Sequence, residues 1–345
     1  MQIQTSCLKE ALAFLSKAVV VDKNKPMATS LVELSTHNGA LYGYSYDEEN
    51  YLRIKVCDTS EELNITVSFD LLNGLVSSTT DDEISLTIEK SSVKFKTNVI
   101  SCKLPKYDNV VIHPKTAQCD NKITQEEFNE YASLSAIRSV LNKRHSIPCY
   151  SNVYFGDTMM VTDCNNVIIS RKKLFTQNIL LSYKSVEILS QLGDFNYGLV
   201  VSGFSGFLYV TTGDKTLFIM TPDMSMYQWA DVMELFDQVA AGNITITRTD
   251  LAKAINTASV LKLEKLYLVF NEKGAFLYIK NHDFKYRLSE TPCQNVVYYT
   301  NIEAIKKLLV LGDSMELYYG TDGFIKVVGD IYENAIGMAK VEVAV

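Results

Sequence analysis

Between Gln294 and Gly329 the chain switches between two hydrophobic periods. Val296, Val297, Tyr298 and Tyr299 form a β-branched and aromatic run that suits a pleated surface. Ile302, Ile305, Leu308 and Leu309 then recur at helical spacing, with Lys306 and Lys307 off that stripe. Thr300 or Asn301 can cap this helix, and Gly312 can end it. SMELYY and FIKVVG follow as two strands across a Thr321-Asp322-Gly323 turn. The unit is strand, short helix, strand, turn, strand, and it recurs at 63–104 and 178–220. A related unit opens on a capped helix with a longer connection, at 1–56, 122–174 and 243–288. Six units of two alternating types predict an α+β chain of three repeated domains, 1–118, 119–241 and 242–345.

Within these units the first helix is expected to bury Leu8, Leu12, Leu15 and Val19. One helix after Thr124 is expected to carry Phe128, Tyr131, Leu134 and Ile137 inward, and a later one Leu251, Ile255 and Ala258. His37-Asn38-Gly39 reads as a hairpin turn. Asp47-Glu48-Glu49-Asn50 reads as an acidic loop tip, since it lacks the alternating ligands of a calcium loop. Residues 105–121 and 221–242 read as crossings between domains. The second is rich in Met224, Met226, Tyr227 and Trp229. Packing onto a domain is the favoured reading of that crossing, and one wall of a partner groove is the alternative.

Composition narrows the class. The chain has 345 residues, 47% hydrophobic and 21% charged, enough for several true cores. No apolar run approaches the ~18 residues of a membrane span, and the N-terminus does not read as a secretory signal. Seven cysteines without a C-x-x-C pair argue against a zinc site or a disulfide framework, and for a reducing compartment. A net charge of −7 argues against a nucleic-acid partner unless the basic residues are gathered in one place. They recur on or beside five of the six predicted helices, and the helix at 69–78 has none. A solvated polar face explains any one helix equally well.

Catalytic signatures are missing. His37, His113, His145 and His282 sit in turns or crossings with no matched nucleophile. There is no nucleophile elbow, phosphate-binding glycine loop, dinucleotide fingerprint or paired-histidine zinc motif. A non-catalytic protein without cofactor or metal is expected.

Several local runs, in order and spacing, resemble a known family. They are Leu8-Lys9-Glu10-Ala11-Leu12 before a loop with Pro26, Asn38-Gly39-Ala40-Leu41 leading to Tyr46-Asp47, Cys102-Lys103-Leu104-Pro105, and Val161-Thr162-Asp163. Along essentially the whole chain they resemble the bacterial DNA polymerase III β subunit, the three-domain DNA sliding clamp, in a divergent, phage-like form. The resemblance implies a ring made by a head-to-tail homodimer, with helices lining its inner face and sheets forming its outer face. It implies sequence-independent binding of double-stranded DNA, a replicative DNA polymerase and a clamp loader as further partners, and the cytoplasm of a bacterium or phage-infected cell. Lys9, Lys17, Lys23, Lys25, Arg138, Lys143, Arg144, Lys184, Arg248, Lys253, Lys262, Lys306 and Lys307 would face DNA. Tyr150, Thr162, Val167, Tyr227, Val232, Val341, Val343 and Val345 would line a groove for partner peptides. Two departures bear on that groove. Cys164-Asn165-Asn166 stands where the family has Gly-His-Arg, and the tail lacks the family's Met-Pro-Met-Arg-Leu. The groove would then take a different peptide, be reshaped or be missing. The alternative reading is a clamp-like interaction scaffold that does not encircle DNA.

Overall fold

The computed structural model describes residues 1–108, 114, 116–141, 150–163, 165–202, 205–222, 229–261, 265–279, 284–320 and 323–340. The chain divides into two compact units, Met1–Gln125 with Gln191–Thr221, and Glu126–Ser190 with Pro222–Val345. Among the described residues all strand pairing is antiparallel.

In the first unit one sheet has the order β1 (Gln2–Gln4), β6 (Glu83–Ile88), β7 (Ser92–Lys96), β8 (Ser101–Pro105). The other runs β5 (Asn64–Ser68), β2 (Leu31–His37), β3 (Ala40–Tyr46), β4 (Asn50–Asp58), β16 (Lys215–Thr221), β15 (Ser205–Thr212), β14 (Phe195–Ser202), β9 (Asn121–Ile123). Helices α1 (Thr5–Leu15) and α2 (Phe69–Ser78) pack on each other. Leu8, Leu12 and Leu15 of α1 and Leu72 and Val76 of α2 are fully buried. The first helix stops at Leu15 and tightens into a 3-10 turn, so Ala18 is buried in place of the expected Val19. Asn38 and Gly39 both have positive φ, 51° and 77°, the geometry of a two-residue turn that matches strand twist.

In the second unit the larger sheet runs β13 (Ile179–Ser182), β10 (Asn152–Phe155), β11 (Met159–Thr162), β12 (Asn166–Ser170), β24 (Tyr332–Gly337), β23 (Phe324–Val328), β22 (Ser314–Tyr319), β17 (Gly242–Thr247). The smaller runs β20 (Phe284–Ser289), β19 (Gly274–Ile279), β18 (Lys265–Asn271), β21 (Val296–Asn301), β25 (Ala339–Lys340). Among the described residues six helices belong here: α3 (Gln125–Tyr131), α4 (Leu134–Val140), α5 (Tyr183–Leu189), α6 (Trp229–Asp237), α7 (Arg248–Val260) and α8 (Ile302–Lys306). The side chains of Ser182, Thr247 and Asn301 cap α5, α7 and α8 by accepting a backbone N–H three residues on. Leu251, Ile255 and Ala258 are buried, as their spacing predicts.

The two eight-stranded sheets have one topology. Each joins three strands of a longer unit, edged by the first strand of a shorter one, to three strands of a shorter unit, edged by the first strand of a longer one, at β4·β16 and at β12·β24. Asn50 faces Ile219 at the first joint, and Asn166 faces Ile336 at the second. The turn before each joint is also the same. Asp47 Oδ1 accepts the Asn50 N–H at 2.6 Å, and Asp163 Oδ1 accepts the Asn166 N–H at 2.8 Å. The repeat seen as hydrophobic period is thus a repeat of hydrogen bonding.

One predicted helix is broken. Where a single helix was expected after Thr124, α3 and α4 are separated at Ser133, whose ψ is 123°. The Tyr332 hydroxyl enters the gap. It donates to the Glu130 carbonyl at 2.6 Å and accepts the Ser133 N–H at 2.9 Å. Burial pushes the Tyr332 phenol up to about 12, against the opposing pull of Ser133.

Candidate nucleic-acid interface and partner groove

The basic residues fall into three states. Lys23 and Lys253 are exposed, as is Lys9, whose Nζ also donates to the Thr79 carbonyl at 3.0 Å. Lys17 and Lys184 are half-buried. The others are drawn into local pairs. Lys25 pairs with Glu48, whose hydrogen bond and charge hold the ammonium above its ordinary pKa. Arg138 donates to the Tyr183 hydroxyl at 2.6 and 3.0 Å and lies 3.8 Å from Glu187. Arg248 lies 3.8 Å from Asp313, and Lys306 lies 2.5 Å from Glu303. Exposed pairs of this kind are weak, so these side chains can swing to another anion. Lys143, Arg144 and Lys262 lie outside the described residues.

Lys307 is different. It stands in the 3-10 turn Lys307–Val310 that continues α8, and it pairs with Asp163. The two side chains are only 20% and 16% exposed. Burial alone would raise the Asp163 carboxyl. Hydrogen bonding and charge from Lys307, with hydrogen bonds from Asn166, outweigh it and hold the carboxyl below the usual aspartate range. Off-stripe spacing suggested a lysine pointing to solvent, and the structure spends it on a turn 144 residues away.

That turn borders the expected groove. Thr162 and Val167 are cross-strand neighbours on either side of it, and both are buried. Val167 belongs to a cluster with Tyr154, Met160, Ile169, Leu180, Phe324 and Ala335. Helix α6 covers this cluster with Phe236, Val232, Met233 and Leu235. Lys326 Nζ donates to the Phe236 carbonyl at 2.9 Å and closes the end of that helix. The described end of the second crossing, from Val232 to Phe236, is packed onto the sheet, while Met224, Met226 and Tyr227 lie outside the described residues. Thr162, Val167 and Val232 are brought together. Tyr150 is half-buried just before β10, and Tyr227, Val341, Val343 and Val345 lie outside the described residues. The Asp163 carboxylate accepts from turn N–H groups and from Lys307, and Asp47's accepts from the N–H groups of its own turn.

No protein-family model and no curated protein matches the chain. Solved structures do. The DNA polymerase III β chain from Streptococcus pneumoniae aligns over 99% of both chains with a TM-score of 0.83 at 10% identity. The DNA polymerase III subunit β from Pseudomonas aeruginosa aligns over 98% of this chain and 99% of its own, with a TM-score of 0.80 at 15% identity. The Helicobacter pylori β clamp bound to a DNA ligase peptide aligns over 98% and 99%, with a TM-score of 0.77 at 13% identity. This is the sliding-clamp fold. At such low identity the likeness is one of fold. The D-x-x-N turns at 47–50 and 163–166 are one signal that sequence reading missed, since they precede both sheet joints of this chain.

Proposed function

We propose that two copies of this chain close head to tail into a sliding clamp around double-stranded DNA, tethering a replicative DNA polymerase without chemistry of its own. One observation carries the reading. Within the chain β4 pairs with β16 and β12 with β24, which leaves one half-sheet of each type. The short-type half ends on β8 and the long-type half on β20, the counterparts of β16 and β4. Among the described residues both are edge strands. Pairing β20 with β8 of a second copy would repeat the same joint and remove two open edges. A head-to-tail contact of this kind repeats until rotation closes it. The domains would be 1–118, 119–241 and 242–345.

Exposed Lys9, Lys23 and Lys253, with the loosely paired Arg138, Arg248 and Lys306, would meet phosphates without reading bases. Opening the ring onto DNA calls for a clamp loader, and bacterial or phage-infected cytoplasm is the matching location. The groove at Thr162, Val167 and Val232 would hold partner peptides, in keeping with the peptide-bound Helicobacter clamp. Light scattering after size exclusion should give about twice 38.8 kDa. A strict monomer at micromolar concentration would overturn the ring. A dimer retained equally on nicked circular and on linear DNA would favour the scaffold reading, which the absence of basic residues on α2 motivates.

A further inference from the structure

The repeat lets one face be compared with itself. On the face of the first unit's large sheet away from α1, Tyr44, Tyr51, Tyr209 and Phe218 form an aromatic cluster. Strand register matches this face to the one that α6 covers in the second unit. Asn50·Ile219 corresponds to Asn166·Ile336, so Tyr51 takes the place of Val167, Phe218 of Ala335, Phe207 of Phe324, and Arg53 of Ile169. The backbone agrees, because Met220 N–H donates to the Glu49 carbonyl as Gly337 N–H does to Asn165.

The cover differs. Phe324 lies beneath the α6 side and is 5% exposed, whereas Phe207 is 42% exposed and Met220 48%. From the described part of the first crossing, Ala117 and Cys119 pack on the aromatic cluster beside Tyr42 and Tyr46, and Pro114 and Thr116 border its clefts. A cleft of about 290 Å³ remains between Tyr46, Tyr51, Pro114, Phe207, Phe218 and Met220. A second, of about 340 Å³, shares Tyr51, Pro114 and Phe218 and extends to Tyr44 and Arg53. Arg53 lies over the Tyr42 ring at 4.0 Å, and its buried Nε meets no acceptor. A buried donor left unmatched favours a ligand that brings an acceptor, and a cation favours a carboxylate.

We infer that this face of the first unit is a docking site for a short amphipathic segment of a partner protein, with apolar side chains for the cleft and a carboxylate for Arg53. The chain itself supplies the pattern of such an occupant. On the matching face α6 seats Val232, Met233 and Phe236 and keeps Glu234 and Asp237 in solvent. The site is separate from the Thr162–Val167 groove and does not depend on ring closure.

The probe is a fluorescein-labelled peptide with the sequence of Trp229–Asp237, titrated into the full chain and followed by anisotropy. Saturable binding is expected, weakened at least tenfold by Phe207→Glu or Met220→Glu. Phe207 and Met220 are surface positions, and circular dichroism melts of each variant verify the fold. No saturation up to millimolar peptide overturns the site. So does an affinity untouched by Phe207→Glu, which would mean exchange with α6 on its own sheet. Binding that rises tenfold when residues 109–113 are replaced by Gly-Ser assigns the face to the chain's own crossing and also overturns it. A Phe207→Glu chain that changes oligomeric mass would instead assign the face to a second copy. The ring reading stands or falls on mass and DNA retention, so the two can fail separately.

Discussion

Replacing Lys307 by Met tests whether the turn at Asp163 depends on a distant lysine. The substitution keeps the aliphatic stem and deletes the charge. Asp163 then remains about five-sixths covered with its main counter-charge gone. Breaking a fully buried pair costs roughly 3–5 kcal/mol, and an exposed one under about 1. A pair a fifth open to water lies between, so a loss of about 2 kcal/mol is expected. The pH dependence carries a sign. In the native chain the Asp163 pKa is depressed on folding, so its contribution is present above the unfolded aspartate value. It is lost as pH falls through the lower folded value. In Lys307→Met the lowering partner is gone and burial pulls the carboxyl up. The deficit is then full near neutral pH and shrinks as acid protonates Asp163. The single tryptophan, Trp229, stands in α6 of the same unit, so its fluorescence during urea unfolding reports the right transition. Asp163→Asn keeps an oxygen for the turn N–H groups, and the double variant should recover most of the loss, a coupling of about 2 kcal/mol. A Lys307→Met chain within about 0.5 kcal/mol of the native one at neutral pH would refute the pairing.

Three further outcomes follow from the same geometry. Tyr332→Phe should cost about 2 kcal/mol by urea unfolding, because the Glu130 carbonyl and Ser133 N–H lose their shared partner inside the protein. Glu33 is 1% exposed, and burial lifts its carboxyl to about 7. A raised acid destabilises the fold as pH climbs from the unfolded glutamate value through that number. Glu33→Gln should therefore match the native chain near pH 4.5 and exceed it by about 3 kcal/mol above pH 8, read from tyrosine near-ultraviolet dichroism melts. Charge reversal at Lys23 and Lys253, both exposed, should weaken DNA binding and flatten its salt dependence without changing melting. An unchanged salt slope would place both outside the DNA-facing surface.

Hydrophobic period disclosed the repeat because both unit types bury one face of each element, and that constraint is local. It disclosed the Asn38-Gly39 turn, and the cap at Asn301 as one of two candidates, for the same reason. It could not disclose the break at Ser133. Phe128, Ala132, Ala136 and Ile137 are all buried and keep a nearly helical rhythm across the gap, while the group that holds the gap open is a hydroxyl 199 residues away. Lys307 was misjudged on the same grounds, since its position off the stripe said nothing of Asp163. The site was legible only in part. Thr162, Val167 and Val232 do converge, but the unequal cover of the two matched faces emerges only once strand register makes Phe207 and Phe324 counterparts.

The seams at β4·β16 and β12·β24 bear on how the chain can be dismantled. Neighbouring repeats share one hydrogen-bond ladder, so no repeat is a detachable part. Cutting after residue 118 would strip β4 of its partner and present a naked apolar template, Tyr51 and Leu52 among its residues, to any passing strand. Proteolytic thirds of this molecule should precipitate where the intact polypeptide stays dispersed.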